Sequence, residues 1–191
     1  MKQQLYIYNL GSHDIESSPS SDSYRQLTHQ LAKQITDHPK SQAIWDRIHT
    51  PILDPWLAHL QQEWTTLTAD GIDLSWEKYQ SFITICVFYT DQTPPHEQDT
   101  IYVNRIFQQK LKQFYPQIQY ENVRIGKNPA NYDTMHALYT TELSQLVSDW
   151  DRSRQKVDPF APYSAREGEL VLVLGPGTPA MNFGCIVGAL E

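Results

Sequence analysis

The stretch Phe82-Ile83-Thr84-Ile85-Cys86-Val87-Phe88 constrains the fold most. Nearly every residue in it is apolar, aromatic or β-branched, the pattern of a strand covered on both faces, and such strands belong to parallel sheets sandwiched between helices. Leu170-Val171-Leu172-Val173-Leu174 is the most hydrophobic run in the chain, and a further short run spans Leu5 to Leu10. Ile118, Tyr120, Val123 and Ile125 sit among polar residues at roughly alternating positions, which predicts a half-buried strand at a sheet edge.

Helical spacing separates these runs. Tyr24, Leu27, Leu31 and Ile35 form one apolar stripe, which begins near Asp22 and stops near Asp37-His38-Pro39. Val103, Ile106, Phe107, Leu111 and Phe114 form another, ended by Pro116, and Met135, Leu138, Leu143, Leu146, Val147 and Trp150 make a long third. Residues 41–78 read as a helical insertion: Asp54-Pro55 suits a cap and first-turn proline, and Leu53, Trp56, Leu57, Leu60, Trp64 and Leu67 share a face. Its tryptophans, Trp45, Trp56, Trp64 and Trp76, point to a small packed subdomain or a dimer contact. Residues 151–168 are charged and contain proline, so an exposed connection is expected there. A last helix, from Met181 to Glu191, carries Phe183, Ile186, Val187 and Leu190, which need cover from further chain or a partner.

Strand and helix alternate four times, which predicts an α/β, Rossmann-like parallel sheet flanked by helices, with the insertion added. With the half-buried third strand at the edge and the fourth returning beside the first, the order is 3-2-1-4. The 191 residues fit one such domain. Their formal net charge of −7, from 15 Lys plus Arg against 22 Asp plus Glu, excludes a surface that wraps duplex nucleic acid. Cys86 and Cys185 lie in apolar surroundings without ligand spacing, as reduced core residues do. The seven histidines share no spacing with one another or with carboxylates that suggests a metal, and no cofactor is called for. No apolar window reaches the length of a membrane span, no cleavable leader stands at Met1, and the expected address is the cytoplasm.

In a sheet of this order the winding reverses between the first and fourth strands, and ligands bind there, beyond the carboxyl ends. Two loops meet at that point. One is Asn9-Leu10-Gly11-Ser12-His13-Asp14; the other is Gly175-Pro176-Gly177-Thr178-Pro179-Ala180-Met181-Asn182. The glycines allow sharp turning and close backbone approach, Thr178 suits a cap and Pro179 the first helical position. The helix start that follows can hold an anion on unpaired N–H groups, without lysine. Gly175, Gly177 and Ala180 also match G-x-G-x-x-A, but the strand and acidic residue that complete a dinucleotide fingerprint do not follow. A P-loop is excluded because no Lys-Ser or Lys-Thr follows the glycines.

The run Leu172-Val173-Leu174-Gly175-Pro176-Gly177-Thr178-Pro179-Ala180-Met181-Asn182 resembles the signature of CRISPR-associated Rossmann-fold (CARF) domains, in which a hydrophobic strand runs into Gly-Gly-Thr-Pro-x-Met. Thr178-Pro179-Ala180-Met181 carries the match, and Pro176 stands where the family often has glycine or a small polar residue. The resemblance implies a homodimeric receptor for cyclic oligoadenylate, the ring-shaped messenger of type III CRISPR antiviral defence, regulating an effector expected beyond residue 191. It further implies that Asn9, Gly11, Ser12, His13 and Asp14, with Gly175 to Asn182, contact the ring. A two-fold dimer presents both loops twice, so each protomer could read half of an even ring. Some relatives cleave the ring, and Ser12 or His13 could assist such a step, although adjacent residues do not make a hydrolase triad. Lys127 reads as a solvated turn lysine able at most to add a cation. The alternatives are a ring nuclease, a nucleotide or dinucleotide cofactor domain, and a scaffold without ligand.

Overall fold

The computed structural model describes residues 2–11, 14–15, 24–155, 168–174 and 177–190, without the side chains of 154 and 155. Four strands, β1 (Gln3–Asn9), β2 (Ile83–Thr90), β3 (Gln119–Ile125) and β4 (Gly168–Val173), form one sheet in the order β3-β2-β1-β4. All three pairings are parallel, and in register Tyr8 lies between Val87 and Val173. The predicted order is therefore the observed one. The winding goes β1, β2, β3 in one direction, then returns past β1 to β4.

Helices cover both faces. On one lie α1 (Tyr24–Asp37), α2 (Gln42–Trp45), α3 (Leu53–Ala69), α4 (Trp76–Gln80) and α5 (Ile101–Phe114); on the other lie α6 (Tyr132–Gln155) and α7 (Pro179–Leu190). Strand alternation divides the core between the layers. Tyr6, Tyr8, Ile83, Ile85 and Val87 enter the first, whereas Leu5, Ile7, Cys86 and Phe88 enter the second. Both cysteines are free and buried, and burial pushes the Cys185 thiol up to about 12, so neither is a reactive thiolate.

The insertion departs from expectation in two respects. It is no separate subdomain: Trp45, Leu53, Trp56, Leu57, Leu60 and Tyr79 belong to the same core as β1 and β2, and Trp56 packs edge-on against Tyr6 with ring centroids 5.0 Å apart. Trp56 of α3 packs on Tyr6 and Phe107 of α5 on Tyr8, so the insertion and α5 share the aromatic face of β1. Asp54 does not cap α3 either. The helix begins at Leu53, and Asp54 accepts the Thr50 N–H at 3.0 Å and pairs with Lys110 on α5, tying the insertion to its neighbour. These contacts hold the Asp54 carboxyl below its ordinary range despite partial burial, which acts the other way.

The most hydrophobic run is not the most buried. β4 occupies a sheet edge, and Leu170 and Leu174 are 36% and 45% exposed. Helix α6 runs on through Gln155, so the expected connection is helical at its start, and 156–167 lie outside the described residues. Among the described residues no helix is long and apolar enough to cross a membrane.

Candidate ligand-binding cleft

The carboxyl ends of the four strands open into one cleft of about 400 Å³. Leu10, Gly11 and Asp14 enter it from the β1 loop, and Gly177, Thr178 and Met181 from the β4–α7 loop, so the two segments singled out by sequence do converge. Two further loops share the lining: Thr90, Gln92, His96, Gln98 and Thr100 between β2 and α5, and Asn128, Pro129 and Ala130 between β3 and α6. Ile52 of the insertion completes it. Ser12, His13, Gly175 and Pro176, named above as candidates, lie outside the described residues.

Asn9 is fully buried and faces away from the cleft, in the α6/α7 layer. Its Oδ1 accepts the Tyr139 hydroxyl at 2.5 Å and its Nδ2 donates to Asn182 Oδ1 at 2.9 Å. Asn9 and Asn182 thus bind each other, fixing the start of α7 on the end of β1. Gly177 makes the same junction possible. Its φ is +83°, and a Cβ there would lie 2.9 Å from Asn9 Cβ.

Thr178 behaves as the cap its sequence position predicts. Its Oγ1 accepts the Met181 N–H at 3.2 Å, while its hydroxyl donates to the Pro129 carbonyl and so ties the β4–α7 loop to the β3–α6 loop. Pro179 opens α7 on the exposed side, and Ala180 and Met181 are buried against α6. At the start of α7 Pro179 has no N–H, and the Met181 and Asn182 N–H groups are taken by Thr178 Oγ1 and the Thr178 carbonyl, so what this helix end offers the cleft is its partial positive charge.

Asp14 is the one acidic side chain that lines the cleft among the described residues, and it is 1% exposed. Its Oδ2 accepts the Gly11 N–H at 2.8 Å and its Oδ1 lies 3.5 Å from the Tyr8 hydroxyl. Burial dominates over these hydrogen bonds and pushes the carboxyl up to about 7. The Tyr24 hydroxyl, buried without a partner among the described residues, is pushed above its ordinary value by burial and by Asp14.

No Lys or Arg lines the cleft among the described residues. Lys127 is exposed and outside it, whereas its neighbour Asn128 lines it, with Oδ1 accepting the Ala130 N–H at 3.0 Å. An anion here would meet neutral side-chain amides and the partial positive charge of the α7 start instead of cations. Among the described residues no three His, Cys, Asp or Glu side chains are grouped to hold a metal.

The β2–α5 loop is what sequence reasoning missed. In the sequence His96 stands only among the histidines without metal-ligand spacing, and no role attaches to Gln92 or Gln98. The available signal was position: Thr90-Asp91-Gln92 follows the buried β2, whose carboxyl end adjoins that of β1. No protein-family model matches this chain, and neither does any curated protein or solved structure.

Proposed function

We propose that the chain is a sensor domain that binds cyclic oligoadenylate in this cleft, as a homodimer, and regulates an effector in CRISPR-linked antiviral defence. One observation carries the reading: the loop bearing Thr178-Pro179-Ala180-Met181 and the loop after β1 meet in a single cleft at the point where the sheet's winding reverses. The chemistry of the lining agrees with it. Phosphodiester groups can be met by the partial positive charge at the α7 N-terminus and by the Asn128 amide, so the cleft needs no lysine and the acidic composition is no obstacle.

Calorimetric titration with cyclic tri-, tetra- and hexa-adenylate tests the reading, with NAD and FMN titrated alongside. The expected result is tight binding of one ring size, one ring per two chains, with the ring recovered intact by chromatography. Conversion to linear adenylate would move the protein to the ring nucleases, and preference for NAD or FMN would make it a cofactor domain. Gly177→Val should abolish ring binding with the far-UV spectrum preserved, because the new side chain meets Asn9 at the base of the loop.

A further inference from the structure

The loop between β2 and α5 is built to hold its shape without a ligand. Asp99 is fully buried inside it and gathers donors from three residues. Its Oδ2 accepts the His96 N–H at 2.8 Å, the Gln92 N–H at 3.2 Å and Arg25 Nη1 at 3.2 Å, and its Oδ1 accepts Gln92 Nε2 at 3.1 Å. Arg25 also donates to the His96 carbonyl at 2.9 Å, fastening the loop to α1. The two ends are closed by Thr90 and Thr100, each of whose hydroxyl oxygens accepts the other's backbone N–H, at 2.9 and 3.0 Å. A carboxylate meeting this many donors is far costlier to disturb than an exposed ion pair.

On this rigid base Gln98 stands differently from its neighbours. Its backbone N–H is engaged, donating to His96 Nδ1 at 3.2 Å, but its side chain is exposed, lines the cleft, and has no hydrogen-bond partner among the described residues. A primary amide offers one donor and one acceptor side by side in a plane. That pair complements the N6 amino group and N7 of adenine, and it clashes with the adjacent acceptors O6 and N7 of a guanine-type ring.

We propose that Gln98 is the specificity-determining residue of the cleft, reading the edge of an adenine base, with Asp99 positioning the loop that carries it. The inference rests on the cyclic oligoadenylate reading and adds the residue that selects adenine. Gln92 cannot serve in the same way because its Nε2 is spent on Asp99.

The test compares cyclic tri-, tetra- and hexa-adenylate with the same rings built from inosine, whose base carries an oxygen in place of the adenine amino group. The wild-type chain should prefer the adenine ring by roughly five- to hundredfold. Gln98→Ala should bring that ratio close to unity by weakening the adenine ring while leaving the inosine ring little changed, a result that general loss of structure would not produce. Gln98 is exposed, so folding is expected to be unaffected. Asp99→Asn should lower the same ratio by loosening the loop. If wild type binds adenine rings and Gln98→Ala keeps the full preference, this inference is overturned and the functional reading survives. If wild type binds no ring, both fall.

Discussion

The two helical layers cover the same sheet by opposite means. On the Tyr6/Tyr8 face large side chains interlock: Trp56 meets Tyr6 edge-on, Phe107 meets Tyr8 at 5.6 Å between ring centroids, and Trp45 meets Phe114 at 5.4 Å. On the other face α7 comes so close to α6 that there is no room for side chains at the crossing. A Cβ on Gly184 would lie 2.8 Å from the Met135 carbonyl oxygen, and one on Gly188 would lie 2.9 Å from the Tyr139 carbonyl carbon. Ala180, Gly184 and Gly188, four residues apart, form the small stripe that permits this. A layer held by large side chains loses most when one is removed; a layer held by backbone approach loses most when one is added.

Each layer also receives one polar anchor from the end of β1. Tyr8 faces Asp14 in the first, and Asn9 receives Tyr139 in the second. These residues are adjacent, and their partners Asp14 and Asn182 belong to the two loops that meet at the cleft.

The largest expected effect is on the aromatic side. Trp56→Ala should lower unfolding stability by roughly 3–5 kcal/mol in urea denaturation, since Trp56 fills the space between α3 and β1. Next comes a proton effect in the same layer. Burial raises the Asp14 carboxyl from 3.8 to about 7, so both states hold the proton below pH 3.8 and full stability is present there. As pH rises toward 7 the unfolded chain releases that proton while the folded chain keeps it, and stability falls by on the order of a few kcal/mol. Asp54, whose carboxyl is lowered, contributes with the opposite sign, losing its share as pH falls. The measurement is therefore the difference between wild type and Asp14→Asn at pH 4 and pH 7.5; an equal difference at both would remove Asp14 from the account.

On the close-packed side, Gly184→Val should cost about 1–3 kcal/mol, because the obstacle is a backbone carbonyl that cannot turn aside. Tyr139→Phe should cost about 1–2 kcal/mol by leaving the buried Asn9 Oδ1 unpaired, and it should also weaken ligand binding by loosening the start of α7. The smallest effect sharpens the contrast. Trp56→Phe should cost less than about 1.5 kcal/mol, since Trp56 Nε1 is buried without a partner among the described residues and its loss offsets part of the lost packing. A Trp56→Phe loss equal to that of Trp56→Ala would show that shape complementarity, not burial, governs this layer.

Much of the fold was legible because its signals are local and periodic. β2 and β3 announce central and edge positions through the spacing of their apolar residues, and Thr178-Pro179 announces the start of α7 through cap chemistry. The Ala180-x3-Gly184-x3-Gly188 stripe was equally legible as spacing, yet it becomes meaningful only once α6 is known to lie against it. The insertion misled because tryptophans at helical spacing look alike whether they pack on one another or on a distant strand.

What the amino-acid sequence by itself determined is the succession of strands and helices, the sheet order that follows from the half-buried pattern of β3 and the return of β4 beside β1, and the two loops that the order brings together. Those depend on periodicity and short-range backbone preference, which each segment carries within itself. The tertiary structure alone decided that Asn9 faces away from the cleft, that Asp14 is buried deeply enough to titrate near neutrality, and that a loop locked by Asp99 supplies a further wall. Each of these depends on which distant groups come to surround a side chain, since desolvation and hydrogen bonding are set by neighbours in space.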